Sequence, residues 1–150
     1  MNRHSDPRPV LHVSRWFNTP EPLALDELLG KVVAIHTFQM LCPGCVAHGL
    51  PQAVRLRESF PENHVAVIGL HTVFEHHAVM GADALRAFIR EYRLPFPVGV
   101  DAPDREGPVP LTMAAWGLRG TPSLVLLGRE GRVEFSHFGR LSDMTLGSMV

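Results

Sequence analysis

The tightest constraint on how this chain folds is a change of pattern inside "KVVAIHTFQMLCPGCVAHGLPQAVRL", residues 31–56. Val32 to Phe38 is a β-branched, apolar run without a charged side chain, the composition of a strand buried on both faces. From Val46 onward the period changes. Val46, Leu50 and Val54, with Ala47, Ala53, Leu56 and Phe60 beside them, recur at helical spacing, interrupted by Gly49 and Pro51. A central strand that runs straight into a kinked helix packed on its sheet is therefore expected. Both cysteines of the chain, Cys42 and Cys45, stand at that junction.

The flanking sequence supplies partners for such a strand. "LDELL" reads as a helical turn stopped by Gly30, and "HVAVIGL", residues 64–70, as a second buried strand. "GADALRAFIREYRL", residues 81–94, predicts a helix with Leu85, Phe88, Ile89 and Tyr92 on one face. A short strand near "FPVGV" and a short helix around "LTMAAWG" follow, and "PSLVLLGREGRVEFSHF" reads as a hairpin across a glycine-flanked turn. Strands alternating with helices and then a hairpin predict an α/β fold with a mixed central sheet, flanking helices, an antiparallel edge and a C-terminal β-hairpin. At 150 residues and 45% hydrophobic, without repeats or a linker, the chain is sized for one domain over residues 1–150 with a single core.

Charge narrows the function. A formal net charge of −1 with scattered basic and acidic residues leaves no footprint for nucleic acid or an anionic membrane surface. The opening "MNRHSDPRPVLHVSRWF" lacks the apolar core of a secretory signal, and no run approaches a membrane span, so a cytoplasmic location is expected. In a reducing cytosol two neighbouring thiols point to chemistry or metal rather than to a permanent cross-link.

The chemistry follows from the position of the pair. Free amides and the dipole at a helix start stabilise an anion, and thiols placed there titrate at about 3.5 to 7.5, against about 8.5 for a free cysteine. Two intervening residues keep the second sulfur within reach of the first. Cys42 is thus expected to attack a disulfide, and Cys45, one turn inside the helix, to resolve the mixed disulfide. Structural zinc is the competing use, but it needs four ligands. There is no second C-x-x-C, and His71, His76 and His77 fall in a loop-like stretch without ligand spacing. No metal and no cofactor are assigned.

In this order, "KVVAIHTFQMLCPGC", "VAVIGL" and "GLRGTPSLVLLGREGRV" resemble the thioredoxin-like superfamily, most of all its TlpA-type thiol-disulfide oxidoreductases and the neighbouring peroxiredoxin-related redoxins. The resemblance runs from about Trp16 to Phe138. It implies a thioredoxin-like fold, a cis peptide at Thr121-Pro122 beside Cys42, and a substrate platform formed by those two residues. The implied partners are a protein or small-molecule disulfide or thiol, together with a reductant or oxidant protein. Leu41 stands where thioredoxins carry a tryptophan, which argues against a general thioredoxin role, and Pro51 is one residue further from the second cysteine than in thioredoxin. Where thioredoxins bury a carboxylate that moves protons for the resolving thiol, this chain has His36, a possible proton relay near neutral pH. His48, one turn past Cys45, reads as part of a solvated face.

Two alternatives remain open on sequence. A peroxiredoxin-type thiol peroxidase would use Cys42 on a hydroperoxide, with the resulting sulfenic acid resolved by Cys45. "FQMLCP" resembles that environment, but the threonine or serine expected three residues before the cysteine is Gln39, and Thr37 is two residues too early. A copper or zinc carrier would use both thiolates and a histidine such as His71.

Overall fold

The computed structural model describes residues 8–150. The part of the leader reading that falls on residues 1–7 lies outside the described residues. The β-branched run forms strand β2 (Val32–Phe38), with the predicted limits, and all of its residues but the first are buried. It sits inside a six-stranded sheet made with β1 (Val13–Phe17), β3 (Val65–His71), β4 (Val98–Asp101), β5 (Ser123–Leu127) and β6 (Val133–Phe138), in the order β1-β4-β3-β2-β5-β6. β2, β3 and β4 run parallel, while β1 on β4, β5 on β2 and β6 on β5 are antiparallel. The hairpin thus supplies one antiparallel edge, and the extended start of the chain supplies the other.

Side-chain alternation along β2 sorts the core into two layers. Ala34 and Phe38 join Cys45, Leu50, Ala53, Leu85, Ile89, Leu124 and Leu146 under the helices. Val33 and Ile35 face the other way with Ile68, Leu70, Val125 and Leu127, covered by Leu11, Trp116 and neighbouring residues. The helical layer contains α1 (Leu50–Ser59) and α2 (Ala82–Glu91); α3 (Leu111–Ala115) follows β4. Two buried backbone N–H groups at the start of α3, those of Thr112 and Met113, donate to the Asp101 carboxylate at 2.7 and 3.0 Å, and the Thr72 hydroxyl donates to it at 3.3 Å.

The structure corrects the sequence reading at four places. The kink ahead of α1 is a widened π turn, Cys45–Gly49, continuous with the α-helix. It lies just before Pro51, which has no N–H to give the preceding turn. α2 ends at Glu91, short of the predicted residue 94: Tyr92 stands at its C-terminal cap, half-exposed at 51% but stacked 4.3 Å from Phe88 as the shared face predicts, and the chain turns at Arg93 with φ +50°. The hairpin is not the last element: α4 (Asp143–Met149) follows it, started by Ser142, whose hydroxyl accepts from the Thr145 N–H at 3.1 Å. His71 is not in a loop but ends β3, paired with Val100 of β4 and almost wholly buried. No helix among the described residues is long and apolar enough to cross a membrane.

Candidate active site

β2 ends at Phe38 and delivers the chain to a turn in which the Cys42 N–H donates to the Gln39 carbonyl at 3.1 Å. The helix begins there. The Cys45 N–H reaches both the Cys42 carbonyl at 3.1 Å and the Cys42 sulfur at 3.3 Å, and the Val46 N–H donates to the same carbonyl. An amide of the helix start, shared between the Cys42 carbonyl and the Cys42 sulfur, is therefore aimed at Cys42 Sγ.

Opposite the sulfur stands the 120–123 turn. Thr121-Pro122 is cis, and the Cys42 thiol donates to the Thr121 carbonyl at 3.4 Å. Thr37 anchors the turn, its hydroxyl accepting from the Ser123 N–H at 3.0 Å and donating to the Ser123 carbonyl at 3.1 Å. Pro122 lies on the helix, and the two glycines of the segment make its seat. A Cβ on Gly44 would stand 3.4 Å from the ring, and one on Gly49 only 3.0 Å from Pro122 Cβ. The Pro122 carbonyl accepts from the Gly139 N–H at 2.8 Å, tying the turn to the segment after β6.

The thiols are unequal. Cys42 is half-buried and Cys45 is fully buried. Burial, then the hydrogen bond with the Cys42 side chain, push the Cys45 thiol up to about 12, against the lowering effect of bonds from the Gln39 backbone and the Thr121 side chain. Cys42 is the accessible sulfur and Cys45 the guarded one. Leu41, 57% exposed, forms apolar surface at the approach to Cys42.

His36 is 4% exposed and lies on the helical face of β2, in the alternation that includes Ala34 and Phe38. With Gly44, Gly49, Gln52, Pro122 and Arg140 it lines a cavity of about 200 Å³, and its Nε2 has no hydrogen-bond partner. Burial holds its pKa down at about 4, so the ring is neutral at neutral pH. His48 is exposed and also lines this cavity.

His71 serves differently. Its Nε2 accepts from the Met40 N–H at 3.3 Å and its ring packs 5.1 Å from that of Phe38. That bond occupies one of its two ring nitrogens. His76 and His77 are exposed, His77 Nε2 lying 2.9 Å from the Pro108 carbonyl. Among the described residues no three His, Cys, Asp or Glu side chains converge as a metal site.

Two polar residues of the site were not singled out for these roles by sequence. Gln39, 1% exposed, donates from Nε2 to the Thr121 hydroxyl and accepts at Oε1 from the Phe74 N–H, each at 3.2 Å. Gln52 donates to the Leu141 carbonyl at 2.7 Å and to Asp143 at 3.1 Å, while Arg55 pairs with the same carboxylate at 2.7 Å. Each is a lone glutamine beside apolar positions, a pattern that signals a buried amide but not its partner.

No family model matches the chain. Among solved structures it resembles a thioredoxin-like superfamily protein at 53% identity and a TM-score of 0.93, covering 95% of this chain and 92% of that one. It also resembles a thiol-disulfide isomerase from Corynebacterium glutamicum at 46% identity and a TM-score of 0.94, covering 97% and 94%. A curated relative, the thiol-disulfide oxidoreductase ResA of Halalkalibacterium halodurans, is 24% identical over 123 residues, which are 82% of this chain and 62% of that protein's length. With two well-covered relatives near half identity and a cis-proline turn facing a C-x-x-C pair, the chain belongs to the thioredoxin-like family of thiol-disulfide oxidoreductases.

Proposed function

We propose that Cys42 and Cys45 exchange disulfides with a polypeptide or small-molecule partner, and that Thr121-Pro122 is the platform on which the partner is held. The observation that carries this reading is the setting of Cys42 Sγ between the Cys45 N–H at 3.3 Å and the Thr121 carbonyl at 3.4 Å. In the thiol form both contacts are satisfied. On ionisation the amide bond strengthens, while the carbonyl loses its donor and is left beside an anion, a pairing relieved when the sulfur bonds to another sulfur.

The Cys42 thiolate attacks one sulfur of the substrate disulfide and the other leaves as a thiolate. Cys45 then gives up its proton and attacks Cys42 Sγ. The second substrate thiolate departs and a Cys42–Cys45 disulfide remains, two electrons having passed to the substrate. A reductant protein then gives two electrons to the Cys42–Cys45 disulfide and returns the dithiol; where the chain acts as an oxidant, an oxidant protein takes two electrons from the dithiol and restores the disulfide. Burial keeps Cys45 protonated until that step, and His36 is the neutral base on the same face of the sheet, lining the cavity under the cis-proline turn. The cytoplasm is part of the same proposal, checked by fractionation of the native host.

Gln39 weighs against hydroperoxide as the substrate. Its amide is turned to Thr121 and Phe74, so no hydroxyl or amide three residues before Cys42 is given over to holding a peroxide. The test compares second-order rates of the reduced chain with insulin, hydrogen peroxide and an organic hydroperoxide, using Cys45→Ser as a trap. The expected result is a mixed disulfide on Cys42 that accumulates in the trap. A peroxide rate far above the insulin rate, with sulfenic acid on Cys42, overturns the reading in favour of a thiol peroxidase.

A further inference from the structure

The surface around Cys42 divides by charge. β5 and β6 lie on one side of β2, and β3 and β4 on the other. On the β5–β6 side the 120–123 turn stands between two arginines. Arg119 comes just ahead of it, with its guanidinium carbon 5.8 Å from the centre of the Phe138 ring. That ring covers Gly120, where a Cβ would stand 2.8 Å from Phe138 Cε2. Arg140 follows Gly139, whose N–H holds the Pro122 carbonyl, and it lines the cavity beside Pro122 with Gly44 and His48.

Both arginines are exposed, and neither has an acidic partner among the described residues. Asp143, three residues after Arg140, is taken up by Arg55 and Gln52. Glu134 lies toward the other end of β6, against Gly128. Glu75, Asp104 and Glu106 belong to the loops after β3 and β4, across β2. A chain of net charge −1 thus presents uncompensated positive charge along one side of its platform. Phe138 is half-exposed there and Leu41 is exposed next to Cys42. Apolar and aromatic surface edged by arginine is the composition of a protein contact.

Resting on the oxidoreductase reading above, we infer that the partner is a polypeptide with acidic side chains next to the cysteine that meets Cys42, its carboxylates lying toward Arg119 and Arg140. An extended segment advances about 3.3 to 3.6 Å per residue, so the neighbours of its cysteine reach past both ends of a two-residue platform. A small disulfide does not. Charges at the edge of a contact act on the encounter: they draw in the opposite sign, hold off the same sign and fade as salt rises.

The experiment measures, at pH 8 and low salt, the second-order rate at which the reduced chain reacts with three peptides of equal length. Each carries its single cysteine as a thiopyridyl disulfide, flanked by glutamates, by lysines or by serines. The Cys42 thiolate bonds the peptide sulfur and thiopyridone leaves, which absorbance follows. The glutamate peptide is expected to outrun the lysine peptide by about fivefold to fiftyfold, the scale of a few exposed charge pairs. In about 1 M salt, where charges are screened beyond about 3 Å, the ratio falls toward one. Arg119→Glu and Arg140→Glu together are expected to reverse the order of the two charged peptides. Equal rates for these peptides in the parent at low salt, or the parental ratio in the doubly substituted chain, overturn the inference. So does a loss shared equally by all three peptides in that chain, which marks a distorted turn. A carboxylate-bearing small disulfide, dithiodipropionate, that gains as much over its hydroxyethyl counterpart as the glutamate peptide gains over the serine peptide overturns the polypeptide partner in favour of a small acid. A parent chain that reacts with none of the peptides overturns the oxidoreductase reading and this inference with it.

Discussion

Two buried histidines on neighbouring parallel strands frame the site, and their surroundings differ. His71, at the end of β3, gives its Nε2 to the Met40 N–H and packs its ring on Phe38. His36, on β2, presents an Nε2 without a partner and lines a cavity next to the cis-proline turn. Burial holds both pKa values down at about 4. A displaced pKa therefore does not separate a structural histidine from a chemical one. The partner does: an occupied nitrogen holds a loop, and an unoccupied one beside a cavity is free to take part in proton movement.

The largest test of the comparison is acid. Each histidine is neutral when folded and binds a proton more readily when unfolded, so the unfolded chain takes up protons first as pH falls. Stability is expected to hold above about pH 6.5 and to drop between about 6.5 and 4, where the interval for each ring corresponds to about 3 kcal/mol. Burial raises the Asp101 carboxyl, which titrates in the opposite sense and offsets part of the loss at the acid end of the window. Urea unfolding at a series of pH values measures the slope. If the two histidines are equally buried, His36→Leu and His71→Leu each flatten it by a similar amount, and an effect confined to one breaks the symmetry of burial.

The next effect separates them. His71→Leu leaves the Met40 N–H without its acceptor just ahead of Cys42, and a loss of about 1 to 3 kcal/mol is expected at pH 8, where neither ring titrates. Thermal or urea unfolding at that pH reads it, and an unchanged midpoint would show that the Met40 bond carries no stability.

The smallest change in stability is expected at His36. His36→Leu removes a buried polar atom that has no partner, so stability at pH 8 should move by less than about 1 kcal/mol. Its signature lies in kinetics, where the pH profile of mixed-disulfide decay should change while that of mixed-disulfide formation does not. An unaltered decay profile removes His36 from the proton path and makes the two histidines alike.

How much of this was legible depends on the range over which a signal acts. The limits of β2 were readable because a β-branched run bounded by Gly30 and the cysteines has one interpretation, and the cysteine spacing marks the helix start by local geometry. The tie from Gln39 to Thr121 spans 82 positions, and no periodicity reports a contact of that kind. The kink is readable from Gly49 and Pro51, but the seat that Gly49 leaves for Pro122, 3.0 Å from where a Cβ would stand, lies across the fold. The cis peptide came from resemblance to a family rather than from pattern. α4 is hard to read despite the capping signal of Ser142 followed by Asp143, because so short a segment with a glycine inside it carries little helical period. His71 looked like loop because the histidines after it are exposed, whereas its pairing with Val100 extends the strand by one residue.

The fastening of the 139–143 segment bears on when the site comes into being. Gly139 holds the Pro122 carbonyl, and Gln52 and Arg55 reach from α1 to Leu141 and Asp143. Translation makes Cys42 and Cys45 long before it makes these last supports. On the ribosome the two thiols pass through a period as an ordinary, unguarded dithiol, open to whatever oxidant the emerging chain meets. The Thr37–Ser123 bonds hold the proline turn from one side, and the fastening from the 139–143 segment is added only once that segment has been made, whereas the reactive groups are there from an early stage.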